Sequence, residues 1–235
     1  MTQILTAKNE WYNIDTSDRT VAEWFENYTV TQTHHILQHL NVDRMFQPFF
    51  EGTSGLTILD IGANIGLFTL YAKDVANKIV AVEPTPVTFK MLEKLTSNEQ
   101  NVVRVAQALS NQNGTIDFYI NENPTINSAI NQVGEKVTVQ ARTIKAIMDE
   151  NNLDYVDFVK CDIEGGEVIA ITSETLAEVN GRIGTWSVEV HQTNGSNNIP
   201  WPGNLEANRQ SLARIFHDAG YTVSLVNHDQ IIAWR

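Results

Sequence analysis

The segment at residues 58–66 (ILDIGANIG) constrains the fold of this chain more than any other. A short apolar run ends at Asp60, and two glycines, Gly62 and Gly66, follow before residues of helical spacing begin. Gly62 permits a tight turn with close backbone approach, and Gly66 lets the new helix pack against the strand. The segment therefore predicts a buried strand that turns into a helix, whose exposed amides attract a carboxylate or phosphate.

Apolar runs alternate with helical stretches through most of the chain. Runs that predict strands cover residues 56–61, 78–82, 102–106, 155–161 and 185–190. Stretches that predict helices cover residues 66–75, 87–95, 144–150 and 167–178. This alternation is typical of a parallel sheet covered on both faces. Residues 114–120 and 135–142 alternate as half-exposed strands, which predicts a small antiparallel insertion at one edge or at the mouth of the sheet. Further on, a helix at 205–219 precedes a predicted hairpin of strands 221–226 and 230–234.

The chain is predicted to have two regions. Residues 1–50 roughly follow helical spacing and predict a helical N-terminal cap, and residues 51–235 predict one α/β domain. His35 and His39 stand one helical turn apart and could bind a metal ion, but a solvated helix face is the simpler interpretation.

Charge and cysteine content exclude several classes of function. The 28 acidic residues outnumber the 16 basic ones, which argues against a nucleic-acid partner because such binding depends on clustered Lys and Arg. The one cysteine, Cys161, excludes an intramolecular disulfide and a cysteine zinc site. With no signal peptide or long apolar run in the sequence, we expect a cytoplasmic protein without membrane contact.

An acidic residue follows the second predicted strand of the sheet. Glu83 comes about 20 residues after Asp60, where α/β nucleotide-binding folds place an acid that binds both ribose hydroxyls. Asn64 stands where the dinucleotide-binding pattern has its second glycine, so the pattern for NAD is incomplete. The glycine turn and Glu83 together favour an adenosine-containing ligand over an ordinary strand-helix connection.

Carboxylates and a histidine follow the later strands. Asp162, Glu164 and Glu167 come after one strand, and Glu189 and His191 end the next. Ligands of parallel sheets bind at these strand ends, and a carboxylate that ends an apolar strand needs a cation or hydrogen-bond donor. His191 is a candidate general base or a hydrogen-bonded structural residue. The carboxylates of Asp162, Glu164 and Glu189 could hold Mg²⁺, although a site without metal is favoured.

Between about residues 57 and 191, these motifs resemble the FkbM-like family of class I S-adenosylmethionine-dependent methyltransferases. The resemblance rests on the order and spacing of ILDIGANIGLFTLYA, IVAVEPTPVTFKMLEKL, ALSNQNGTIDFYI, LDYVDFVKCDIEGGE and VEVH. It implies an α/β fold, a doubly wound, Rossmann-like, seven-stranded and mostly parallel sheet whose last strand is antiparallel. S-adenosylmethionine is then expected across the first four strands.

The same resemblance implies roles for individual residues. The implied cofactor-binding residues are Asp60, Gly62, Ala63, Asn64, Gly66, Glu83, Gln107, Ala108 and Asp162. The residues at the glycine turn would bind the methionine end, Glu83 the ribose and Gln107 the adenine, with Asp162 close to the sulfonium and the substrate.

The activity that the resemblance implies is O-methylation of a sugar or small natural product by in-line displacement. His191 would act as the base, with Asp162 or Glu164 as the alternative. The loops at 121–132 and 192–204 are expected to shape the acceptor pocket. An NAD-dependent oxidoreductase and a catalytically inactive cofactor-binding module are the alternatives.

Overall fold

The computed structural model describes residues 3–27, 45–121, 127–130, 132, 134–193 and 204–235. The strands in these ranges are β1 (Gln3–Leu5), β2 (Trp11–Asn13), β3 (Leu56–Ile61), β4 (Ala76–Val82), β5 (Val102–Val105), β6 (Ala108–Leu109), β7 (Gly114–Ile120), β8 (Glu135–Arg142), β9 (Val156–Cys161), β10 (Ile183–Glu189), β11 (Thr222–Val226) and β12 (Gln230–Trp234). The helices are α1 (Arg19–Asn27), α2 (Gln47–Phe50), α3 (Leu67–Ala72), α4 (Pro86–Leu95), α5 (Ile144–Glu150), α6 (Glu167–Ala170), α7 (Ser173–Glu178) and α8 (Leu205–Asp218).

Seven strands form the main sheet, in the order β11-β12-β10-β9-β3-β4-β5. The strands from β10 to β5 in this order pair in parallel, and β12 is antiparallel to both β10 and β11. The predicted seven-stranded, mostly parallel sheet with an antiparallel strand near its end is confirmed.

Neighbouring residues of the central strands pack into different hydrophobic clusters. On β3, Leu59 packs in a cluster that includes residues of α5 to α8, and Ile58 packs in a second cluster with residues of α2 to α4. Because successive side chains of a strand point to opposite faces, helices cover both faces of the sheet. This double burial explains why these strands read as continuous apolar runs rather than as alternating ones.

The predicted antiparallel insertion is also present. β7 and β8 pair as antiparallel strands, and β6 joins them in a separate three-stranded sheet. The Ser128 hydroxyl, just beyond β7, donates a hydrogen bond of 2.7 Å to the backbone carbonyl of Glu164. The insertion is therefore held at the carboxyl ends of the main strands rather than at a sheet edge.

Two predicted helical regions are wrong in part. The predicted helix at 167–178 is two short helices, because the backbone is extended at Ile171 and the Thr172 side chain caps α7 through the amide of Thr175. The N-terminal region begins with the antiparallel hairpin β1–β2 rather than with helix. His35 and His39 lie outside the described residues.

The N-terminal hairpin belongs to the core of the α/β sheet. Ile4 is fully buried in the cluster that also contains Phe50 and Tyr71. The amide of Ala7 donates to the carbonyl of Tyr71 at 2.8 Å. Burial of the hairpin against α3, rather than a helical periodicity, determines its structure.

Among the described residues, no helix has both the length and the apolar character needed to cross a membrane.

Replacing Ile4 tests whether the hairpin contributes to global stability. Ile4→Ala should lower the free energy of unfolding by about 2–5 kcal/mol, because it opens a cavity in a packed cluster. Trp11→Ala is the control on the same hairpin, where the side chain is 58% exposed, and should change stability by less than about 0.5 kcal/mol. Urea unfolding followed by circular dichroism measures both, and equal effects would contradict a hairpin packed into the core.

Candidate active site

The glycine turn after β3 is set by close backbone contact with the end of β9. Gly62 has a φ of +73°, and a Cβ atom there would lie 1.7 Å from the carbonyl oxygen of Asp162. The amides of Gly62 and Ala63 both donate to the carbonyl of Val82 at 3.0 Å. The ends of β3, β4 and β9 therefore meet at one point, where only glycine fits.

The second glycine of the turn has a different neighbour from the one predicted. A Cβ atom on Gly66, whose φ is +92°, would lie 2.7 Å from Leu92 Cδ1 and 3.2 Å from Thr96 Cγ2. Gly66 thus makes room for α4, and the prediction that it serves packing of its helix against its own strand is wrong.

Glu83 is a buried carboxylate held by backbone amides. Its Oε2 accepts from the Asn64 amide at 3.0 Å and its Oε1 from the Thr85 amide at 2.8 Å. Burial raises the pKa of Glu83, while these hydrogen bonds act in the opposite direction. Each oxygen retains a lone pair, so the carboxylate can accept two further hydrogen bonds in a fixed orientation.

A cavity of about 390 Å³ connects the glycine turn with the later strand ends. The predicted site residues on its wall are Gly62, Ala63, Asn64, Glu83, Gln107, Ala108, Asp162, Glu164 and Glu189. Other wall residues come from the N-terminal region and the insertion, namely Met45, Phe46, Phe118, Asn127 and Ala129. Most of the loop at 192–204, which was expected to shape this pocket, lies outside the described residues.

Three predicted site residues, Asp60, Gly66 and His191, do not line this cavity. Asp60 is fully buried beneath the turn, where its Oδ2 accepts from the Thr69 hydroxyl at 2.6 Å. Burial raises the pKa of Asp60, and the nearby Lys160 charge partly offsets this effect. Asp60 therefore stabilises the turn from within the core and does not line the cavity.

Gln107 presents a hydrogen-bond acceptor on the wall of the same cavity. Its Nε2 donates to Glu150 at 3.0 Å. Its Oε1 is buried and has no hydrogen-bond partner among the residues that the structure describes. A ligand that donates a hydrogen bond, such as an amino group, would satisfy this oxygen.

Lys160 is a residue of this site that the sequence motifs did not single out. Its ammonium donates to the Gly62 carbonyl at 2.9 Å and lies 3.3 Å from Asp162 Oδ2 and 3.8 Å from Asp60 Oδ1. Burial would lower the pKa of Lys160, but the surrounding carboxylates raise it above its usual value. Its position two residues before Asp162 was the available signal, because residues i and i+2 of a strand share a face.

His191 lies at the centre of a group of carboxylates. Its Nδ1 is 3.1 Å from Glu167 Oε1. Its Nε2 is 3.8 Å from Asp162 Oδ1, 3.6 Å from Glu164 Oε2 and 3.7 Å from Glu189 Oε1. The structure thus brings together His191 and the strand-end carboxylates that the sequence predicted as catalytic or metal-binding residues.

Glu167 and Asn208 fix the position of this histidine. Glu167 is fully buried, and its Oε1 also accepts from the Ile163 amide at 2.9 Å. The Asn208 side chain, also fully buried, donates to the backbone carbonyl of His191 at 2.9 Å. Both the ring and the backbone of His191 are therefore held by buried groups.

Burial and neighbouring charges shift the pKa values of the acids in this group. Burial would lower the pKa of His191, but Glu167, Asp162 and Glu164 raise it well above its usual value. Burial, reinforced by nearby carboxylates, raises the pKa of Glu164 to about 8. The charge of Asp162 and then burial raise that of Glu189 to about 7. Burial would also raise the pKa of Asp162, but Lys160 and then His191 hold it below its usual value. The group thus contains more carboxylates than positively charged side chains.

The sheet order, the glycine turn after β3 and the acid after β4 define a class I methyltransferase fold. The methyltransferase FkbM domain model matches residues 60–223. The chain belongs to the FkbM methyltransferase family. No curated protein matches it.

Solved structures share this fold at low identity. Methyltransferase FkbM from Methylobacillus flagellatus KT is 16% identical, with a TM-score of 0.54 over 81% of this chain. The match covers 46% of the Methylobacillus chain, so the present chain spans about half of it. Precorrin-6y C5,15-methyltransferase from Geobacter metallireducens GS-15 is 15% identical over 83% of this chain and 88% of its own, with a TM-score of 0.49.

Adding one methyl group at Gly62 tests the backbone contact at the turn. Gly181 has a similar φ of +76° but no atom within 4 Å of an added Cβ. Gly181→Ala should therefore cost only the left-handed backbone strain of about 1–2 kcal/mol. Gly62→Ala should cost about 1–3 kcal/mol more, because the methyl group collides with backbone. The free energy of unfolding in urea measures both, and equal losses would contradict the close approach of β3 and β9.

Proposed function

We propose that this chain is an S-adenosylmethionine-dependent methyltransferase that methylates a hydroxyl group of a sugar or small natural product. The observation that carries the proposal is the shared cavity. The glycine turn and Glu83 form one part of its wall, and Asp162, Glu164 and Glu189 form another. A cofactor half and a proton-accepting half are thus joined in one small-molecule site, as methyl transfer to a hydroxyl requires.

The residues of the first half fit S-adenosylmethionine, which supplies a methyl group activated by its sulfonium charge. Gly62, Ala63 and Asn64 of the turn line the cavity, so a ligand there can contact the backbone of the turn. Glu83 offers two fixed acceptors for a pair of ribose hydroxyls. The unpartnered Oε1 of Gln107 suits the amino group of adenine.

The residues of the second half are suited to hold an acceptor hydroxyl and take its proton. Asp162 and Glu164 are on the cavity wall, whereas His191, at 3.8 and 3.6 Å from them, does not line the cavity. We assign first contact with the hydroxyl to the two carboxylates, and to His191 the support of the charge that they carry. This assignment revises the expectation that His191 is the base, because the carboxylates and not His191 line the cavity.

Membership in the FkbM family argues against the NAD-dependent alternative. The geometry agrees, because the Asn64 amide is already bonded to Glu83 and the second glycine of a dinucleotide turn is missing. The cavity size is that of a small-molecule site of about 300–1,000 Å³, which favours a small acceptor. The absence of a nucleic-acid partner stays a prediction from net charge.

Removing the charge of Glu83 tests the cofactor half of the site. Glu83→Gln should weaken S-adenosylmethionine binding at least about tenfold, because hydrogen bonds to a charged group contribute about 1.5–3 kcal/mol. Glu93→Gln is the matched control, since Glu93 is an exposed residue of the adjoining helix α4. Isothermal titration calorimetry measures both, and unchanged binding by folded Glu83→Gln protein would contradict the ribose assignment.

Turnover tests the proposed reaction. Methyl-labelled S-adenosylmethionine should transfer its label to the oxygen of a hydroxylated sugar or small natural-product acceptor, and Asp162→Asn should lower kcat by about 10²–10⁴-fold. Mass spectrometry of the product distinguishes a methyl ether from a methylamine. Labelling of amines alone would overturn the hydroxyl assignment, and cofactor binding without turnover across the panel would favour the inactive module.

A further inference from the structure

We infer that Asp162, Glu164 and His191 form a binding site for one divalent transition-metal ion, of which Mn²⁺ is the best-suited example. Their ligand atoms all lie within 4.8 Å of one another, and Asp162 and Glu164 also line the cavity. The site itself stands on the side chains alone, and only its role in catalysis rests on the proposed function.

The spacing of the ligand atoms fits a metal ion better than it fits hydrogen bonds. His191 Nε2 is 3.6–3.8 Å from the nearest oxygens of Glu164 and Asp162, too far for a direct bond. Ligands about 2.1 Å from one ion stand about 3.0 Å apart at octahedral angles and about 3.4 Å apart at tetrahedral angles. Around an ammonium group, with hydrogen bonds of about 2.8 Å, acceptors would stand about 4.6 Å apart. The two separations from His191 are closer to those around a metal ion.

Glu167 orients the histidine as metal sites require. A carboxylate only accepts hydrogen bonds, so the His191 Nδ1 that faces it carries the hydrogen. Metal ligation requires the neutral imidazole, so an ion would replace the Nε2 proton and take the lone pair that faces the carboxylates. Carboxylate–histidine–metal arrangements of this kind are a general property of protein metal sites.

Glu167 and Lys160 hold two of the three ligands in place. Glu167 is fully buried, and its Oε2 has no hydrogen-bond partner among the described residues. Lys160 holds Oδ2 of Asp162 at 3.3 Å, which leaves Oδ1 as the oxygen that faces His191. Glu167 therefore orients His191, and Lys160 orients Asp162.

The donor set selects the class of ion. Two carboxylates and one imidazole suit Mn²⁺ or Fe²⁺, whereas Mg²⁺ prefers oxygen ligands alone. Three protein ligands leave coordination positions free for water or a substrate oxygen. The inclusion of His191 distinguishes this site from the all-carboxylate Mg²⁺ site that the sequence suggested.

The position of the site connects the ion to the proposed reaction. A hydroxyl oxygen bound at a free position would have a lowered pKa, because the ion stabilises the alkoxide. With Asp162 and Glu164 engaged as ligands, Glu189 on the same wall would replace them as the proton acceptor. The electron pair of the O–H bond would stay on the acceptor oxygen, the proton would pass to the Glu189 carboxylate, and the oxygen would take the methyl group as the C–S bond of the sulfonium breaks. In this form His191 is a ligand and takes no proton.

Mn²⁺ binding to the purified full chain tests the inference without any methyl acceptor. A titration followed by the electron paramagnetic resonance signal of free Mn²⁺ should show one bound ion per chain, with a dissociation constant in the micromolar to submillimolar range. His191→Ala and Glu164→Gln should each weaken binding at least about tenfold. His228→Ala is the matched control, because His228 is an exposed histidine 3.2 Å from Asp229. The affinity of this variant for Mn²⁺ should equal that of the wild type.

Circular dichroism and S-adenosylmethionine calorimetry on the same samples separate the possible failures. Folded wild-type protein that binds no Mn²⁺ up to millimolar concentration would overturn the metal site, as would wild-type affinity in both folded site variants. Cofactor binding without Mn²⁺ binding would reject the metal site and leave the proposed function intact. Mn²⁺ binding without S-adenosylmethionine binding would reject the proposed function and leave the metal site intact.

Discussion

The buried ammonium group of Lys160 is the interaction on which the rest of the site depends. It joins the carbonyl of Gly62 on one strand end to the carboxylate of Asp162 on the next, with Asp60 beneath. Without this cation, two carboxylates would stand close together in a water-poor environment, at a cost of several kcal/mol. The lysine therefore allows an acidic site to exist at the point where β3 and β9 meet.

This arrangement separates the cavity into parts with different chemistry. On the β4 side, Glu83 is fixed by backbone amides and is ready to accept hydrogen bonds. On the β10 side, carboxylates surround His191 and attract a cation or a proton. The parallel order of the strands places both parts of the cavity at the carboxyl ends of the strands, which is where open α/β sheets bind their ligands.

Most of the fold follows from local patterns in the sequence. The strands at 56–61, 114–120, 135–142 and 230–234 match their predicted bounds, because apolar runs and alternation report burial directly. The hairpin at residues 3–13 was missed, since its structure depends on packing against Tyr71 far along the chain. The break at Ile171 was missed for a similar reason, because the Thr172 cap competes with an otherwise helical pattern.

The candidate site was predictable as a set of residues but not as a geometry. The strand-end positions of Asp162, Glu164, Glu189 and His191 follow from the parallel order, and the structure brings all four together. That Gly66 faces α4 rather than its own strand, and that Asp60 lies beneath the turn, depend on tertiary packing which no spacing encodes. Lys160 was not singled out because a lysine inside an apolar strand carries no motif of its own, and only its i, i+2 spacing to Asp162 indicated that the two share a face.

Calorimetric titration of the folded wild-type chain with S-adenosylmethionine, beside a parallel titration with NAD, tests the central claim most directly. The account predicts one S-adenosylmethionine site per chain with micromolar affinity and no heat of binding from NAD. Binding of NAD, or of neither ligand by protein shown to be folded, would contradict the assignment of this strand-end cavity to a methyl donor.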